Sequence, residues 1–111
     1  MTTILQTSQP LIAQLQSRVE YPKAGVVSKV LLKLPYCQYT LLCLAAGTEI
    51  AEHTSTRNAV VQVLEGQGTL TLSGQDIHLE PGIFVVMPAK APHAIKAADN
   101  LAFLLTLSDA D

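Results

Sequence analysis

At 111 residues the chain has room for one domain and one core, and a chain of this size buries enough surface to fold alone. Hydrophobic residues make up 49% and charged ones only 14%, so an apolar region is expected to stay on the surface and drive pairing into a homodimer. The net charge of -2, with basic residues scattered over Arg18, Lys23, Lys29, Lys33, Arg57, Lys90 and Lys96, excludes a nucleic-acid footprint, and no apolar run reaches the roughly 20 residues that span a bilayer.

The elements are predicted in chain order from hydrophobic period and turn residues. Ser8-Gln9-Pro10, followed by Leu11, Ile12, Leu15 and Val19, predicts a capped, two-turn amphipathic helix that Pro22 closes. From Val26 the period changes to that of strands, predicted over 26–34, 36–45, 49–53, 59–64, 68–72, 76–79, 83–87, 93–96 and 101–107. Each gap holds Gly, Pro, Asn, Asp or Ser, and Leu64-Glu65-Gly66-Gln67-Gly68 and Ser73-Gly74-Gln75 are hairpin signals. Many short strands without a second helix indicate an antiparallel sandwich or barrel. The simplest partition is one structural domain, with a helix-and-strand extension over 1–34 and a barrel over 35–111.

Cys37 and Cys43 fall in one predicted strand, about 20 Å apart at about 3.3 Å per residue, beyond the ~7 Å limit for bridged Cα atoms. Two free thiols, and no basic opening before an apolar stretch in residues 1–10, predict a soluble protein of the reducing cytoplasm.

Two blocks carry the chemistry: Gly47-x5-His53-x-Ser55-x3-Ala59-x6-Gly66 and Gly82-x5-Pro88-x-Lys90-x2-His93-x3-Ala97. Their spacing resembles the paired motifs of the cupin superfamily over about residues 36–107. The wording Val63-Leu64-Glu65-Gly66, Met87-Pro88-Ala89 and Pro92-His93-Ala94 is similar to small single-domain bacterial cupins of undetermined role. The resemblance implies an all-β fold, a cupin-type double-stranded β-helix (jelly-roll) barrel with a short N-terminal helix. It also implies that His53 and His93 meet inside that barrel.

Family metal sites use three histidines and a glutamate, and here Ser55 stands at the second histidine and Ala59 at the glutamate. Lys90 and Ala97 replace a glycine and an asparagine of the second motif. The resemblance therefore implies a degenerate site in which only His53 and His93 remain to hold a divalent transition metal, weakly or not at all, because a zinc or non-haem iron site needs more donors than two imidazoles.

No replacement ligand is evident from the period. Alternation predicts Glu49, Ala51, His53 and Ser55 on one face, with Glu52 pointing away and Glu49 about 13 Å from His53. Gln62 and His78 fall out of phase with their core-facing neighbours. Arg57, in a short loop near the expected cavity mouth, is a candidate partner for an anionic ligand, and Lys90 occupies a turn beside His93. Phe84, Met87, Phe103 and Leu105 alternate in apolar strands as core or interface residues. The expected ligand-binding set is His53, Ser55, Arg57, Ala59, Met87 and His93.

Three functions fit this pattern. The leading one is a small-molecule binding or sensing protein with an incomplete metal site. The alternatives are a metal-dependent oxygenase or isomerase working through His53 and His93, and a dimerisation or scaffold module without a ligand. No general base or nucleophile is assigned, so enzymatic activity stays open.

Overall fold

The computed structural model describes residues 10–110. Among them nine strands form: β1 (Val26–Lys33), β2 (Cys37–Leu44), β3 (Glu49–His53), β4 (Asn58–Glu65), β5 (Gly68–Leu72), β6 (Gln75–Leu79), β7 (Phe84–Met87), β8 (His93–Ala97) and β9 (Leu101–Ser108). They build a five-stranded sheet in the order β1-β2-β9-β4-β7 and a four-stranded sheet in the order β3-β8-β5-β6, antiparallel throughout. The two sheets close on each other as a jelly-roll barrel, which agrees with the sequence reading strand for strand. No helix among the described residues is long and apolar enough to cross a membrane.

The inner faces follow the period-two pattern. Leu44, Ala59, Val61, Val63 and Phe103 from the larger sheet meet Leu70, Leu79, Ile95 and Ala97 from the smaller one, and all are buried. The run Leu101-Ala102-Phe103-Leu104 reads as continuously apolar because β9 lies centrally in its sheet and is covered on both faces. Leu101 and Phe103 enter the main core, whereas Ala102 and Leu104 belong to a second cluster with Leu31, Leu41 and Cys43 on the outer face.

That outer cluster explains the N-terminal segment. Ser8 and Gln9 lie outside the described residues, and the predicted two-turn helix reduces to a single 3-10 turn at Gln16–Arg18. Leu11 and Ile12 stay 44% and 88% exposed. A helix this short is marginal without a packed face, and here the sheet is met by extended chain instead. Leu15, Val19 and Tyr21 pack on the outer cluster, with Val19 already extended at φ -67° and ψ 130°.

Polar contacts pin the same segment. The Tyr21 hydroxyl donates to Glu65 Oε1 at 2.5 Å. Lys29 Nζ donates to the Arg18 carbonyl at 2.8 Å and pairs with Glu20 at 2.9 Å. Burial, and after it the hydrogen bond to the Glu65 carboxylate, pushes the Tyr21 phenol well above its ordinary value.

Two turns show why their residues are required. Ser73 and Gly74 join β5 to β6 with φ of 49° and 82°, the two positive values that a tight two-residue hairpin needs. At Gly66, φ is +95° and an added Cβ would come 1.9 Å from the Asn100 carbonyl oxygen. Only glycine fits there, where the β4–β5 turn lies on the chain entering β9.

Cys37 and Cys43 are both free thiols near opposite ends of β2, the first half-buried and the second buried. The separation expected from strand geometry therefore holds.

Candidate functional site

The site is built on the pairing of β3 with β8. His53 lies directly opposite His93, and Ile50 opposite Ile95, so three residue steps on β3 match two on β8. The extra residue is a β-bulge, and it resets the alternation of side chains. Ile50 and His53 both line the inner cavity. Glu49, Ala51 and Glu52 line a groove on the opposite face of the sheet with Thr69, Thr71, Asp76 and Lys96. This corrects the expectation that Glu49 and Ala51 share the face of His53: simple alternation fails at the bulge.

The two imidazoles lie edge to face, with ring centroids 4.2 Å apart and planes inclined by 63°. His93 is 7% exposed, while His53 sits at the open end. Each ring is held in the same way: His53 Nδ1 lies 2.9 Å from the Ala51 carbonyl oxygen, and His93 Nδ1 lies 2.9 Å from that of Ala91. A carbonyl oxygen only accepts, so both Nδ1 atoms carry hydrogen, and in its neutral form each ring leaves Nε2 as a bare lone pair.

Behind the pair is a cavity of about 210 Å³, lined by Leu42, Ile50, Val61, Met87, Ile95, Phe103 and Leu105 together with His53 and His93. Apart from the two imidazoles its wall is apolar. Its size exceeds the roughly 150 Å³ of an apolar protein cavity that holds benzene.

Of the six residues expected to bind a ligand, the structure gathers His53, Met87 and His93 on this wall. The other three are engaged elsewhere. Ser55 Oγ accepts from the Arg57 N–H at 3.1 Å, and the Ser55 carbonyl accepts from the Lys90 N–H at 2.7 Å. The Arg57 guanidinium is paired with Asp109 at 3.0 Å. Ala59 is buried in the core opposite Met87. Asn58 Oδ1 accepts from the Ala89 N–H at 2.9 Å, so Ser55 in the loop before β4 and Asn58 at the start of β4 are both joined to the loop before β8.

Lys90 holds φ at 72°, in the left-handed region that glycine adopts freely and other residues adopt at a cost. Its hydrogen bond to Ser55 fixes that conformation. His78 is exposed on β6, beside Glu80. Leu42, Ile50, Val61 and Ile95 are wall residues beyond the sequence-derived set. For Leu42, Val61 and Ile95, inward period was the available signal, but it marks core and cavity alike.

The donor set decides how well a family-type metal fits. The rings of His53 and His93 lie together, but Ser55 Oγ is spent on a turn and Ala59 has no donor. Among the described residues no group of three or more His, Cys, Asp or Glu side chains is arranged to hold a metal ion. A catalytic zinc site takes three protein ligands, and a facial non-haem iron site two histidines and a carboxylate. The residues present supply two donors and do not complete either.

Comparison with known proteins agrees with this architecture. In fold the chain is similar to a conserved protein of unknown function from Streptococcus pyogenes, with 26% identity over 100% of this chain and 97% of that one and a TM-score of 0.84. A cupin superfamily protein from Desulfitobacterium hafniense is 25% identical over 98% of each chain, with a TM-score of 0.83. The salicylate 1,2-dioxygenase of Pseudoaminobacter salicylatoxidans shares the fold alone, at 24% identity over 76% of this chain and 26% of that one, with a TM-score of 0.70. No curated protein matches the chain. The cupin domain model matches residues 40–107, from β2 through both motifs to β9. With that match spanning more than half its length, the chain is a small single-domain member of the cupin superfamily.

Proposed function

We propose that this cupin binds or senses a small, largely apolar molecule in the cavity between its sheets, without a resident metal. The observation that carries the reading is the wall itself: a pair of imidazoles with bare Nε2 atoms at one end of an otherwise apolar space of about 210 Å³. Apolar burial supplies the affinity, at about 25 cal/mol per Å² removed from water, and the few polar atoms orient the ligand. The test is a crystal of chelator-treated protein soaked with single-ring compounds. Density between Val61, Phe103 and His93 is the expected result, and a cavity closed by side chains contradicts the proposal.

One observation favours the alternative, a metal-dependent oxygenase or isomerase. Anchoring of Nδ1 on a backbone carbonyl is how metal-ligating histidines are commonly oriented. Elemental analysis of protein purified without an affinity metal separates the two readings. Close to one equivalent of a transition metal supports the enzyme, and under about a tenth of an equivalent supports metal-free binding.

For partners, we propose pairing of two copies through the outer face of the five-stranded sheet. Phe84 and Val86 on the edge strand β7 are 59% and 54% exposed, and an apolar groove on the same face is lined by Leu15, Leu32, Tyr36, Tyr39 and Leu104. The free thiols of Cys37 and Cys43 support a reducing compartment such as the cytoplasm for this role.

A further inference from the structure

We infer that the polar end of the cavity selects a neutral hydrogen-bond donor, so that the ligand is a one-ring alcohol or phenol and not a carboxylate; this rests on the cavity reading proposed above. The hydrogen-bond accounting leads there. Each imidazole has spent its N–H on a carbonyl oxygen, that of Ala51 or of Ala91, at 2.9 Å. What remains for a ligand is one lone pair per ring and no side-chain donor. The main-chain N–H groups of the central wall strands β2, β4, β8 and β9 lie in the sheet ladders.

Charge points the same way. Among the described residues no cation lines the wall, since Arg57 is paired with Asp109 and Lys96 lines the groove on the far face of the four-stranded sheet. An entering carboxylate would give up its hydration and meet two acceptors. An ammonium group finds no carboxylate on the wall to balance it. A hydroxyl needs neither: its hydrogen goes to an Nε2, and its ring lies against Val61, Met87, Phe103 and Leu105. A ligand lacking the donor would leave the buried His93 acceptor without a partner, and sites built for a hydroxyl discriminate strongly on that ground. In size, about 210 Å³ admits one ring with a few further atoms.

The test is isothermal titration of the full, chelator-treated chain with phenol, toluene and benzoate, three ligands on one ring, together with ¹⁵N spectra of the histidine side chains. Phenol is expected to bind at least tenfold more tightly than toluene, with benzoate weakest, and phenol alone is expected to shift the Nε2 signals of His53 and His93. In His53→Phe and His93→Phe, checked for folding by circular dichroism, the preference for phenol over toluene is expected to shrink to within about threefold. If either variant fails to fold, the parent ratio and the ¹⁵N shifts decide. Equal binding of phenol and toluene, or tighter binding of benzoate, overturns this inference and leaves the cavity reading standing. Binding of none of the three overturns both.

Discussion

His53 and His93 face each other across the β3–β8 ladder with ring centroids 4.2 Å apart because a bulge after Ile50 turns His53 inward. The same bulge sends Glu49 and Glu52 to the far face of the sheet and leaves the imidazoles without a carboxylate neighbour on the cavity wall. Position and chemistry of the site thus come from one irregularity in one edge strand.

Phe103 is 1% exposed and forms part of the cavity wall. Its replacement by alanine is expected to cost about 3–5 kcal/mol, the range for deleting a buried ring. Urea unfolding monitored by circular dichroism measures it; a loss below about 1 kcal/mol would mean that the wall collapses around the gap.

The Tyr21–Glu65 pair fastens the N-terminal segment to β4. Tyr21→Phe is expected to destabilise by about 1–2 kcal/mol at neutral pH. The folded state holds the phenol proton above the ordinary value of 10.0, at which the unfolded chain releases it. Stability linked to this proton is therefore fully present below about pH 10 and is lost as the pH rises through the folded value. Unfolding free energies measured from about pH 8 to 11 should fall more steeply for the parent than for Tyr21→Phe. Parallel curves contradict the assignment.

Much of this fold is legible in the sequence, and the exceptions have separate physical causes. Strand positions follow from alternation broken by Gly, Pro and Asn, and each observed end lies within a residue or so of its prediction. The bulge carries no such signal: Glu49-Ile50-Ala51-Glu52-His53 alternates well enough on paper to place Glu49 on the face of His53, and only pairing with β8 shows otherwise. Alternation places Ser55 on the face of His53, whereas its Oγ closes a turn on the Arg57 N–H; Arg57 reads as a free loop cation because its partner, Asp109, lies far along the chain. The N-terminal helix shrinks to one 3-10 turn for a related reason, since Leu15 and Val19 meet a sheet surface that local propensity does not describe.

Lys90 pays a conformational cost at φ 72°. Lys90→Gly is expected to stabilise the fold by about 1 kcal/mol, a shift of roughly 4 °C in Tm for a domain of this size. Scanning calorimetry checks it, and a lowered Tm would mean that the lysine side chain makes a contact that outweighs the strain.

Pairing through the five-stranded sheet predicts a dimer by light scattering coupled to size exclusion. The double change Phe84→Glu with Val86→Lys, at two exposed positions of β7, is expected to yield a folded monomer. An unchanged dimer places the interface elsewhere.

Metal-free binding is tested most directly by thermal unfolding of the chelator-treated protein with a panel of one-ring compounds, alongside Leu105→Phe, which fills the cavity from its wall. The prediction is a rise in Tm of several degrees at saturating ligand, as binding to the folded state alone requires, undiminished by chelation and absent in Leu105→Phe. A rise that returns only when a transition metal is added back, or that persists in Leu105→Phe, contradicts it.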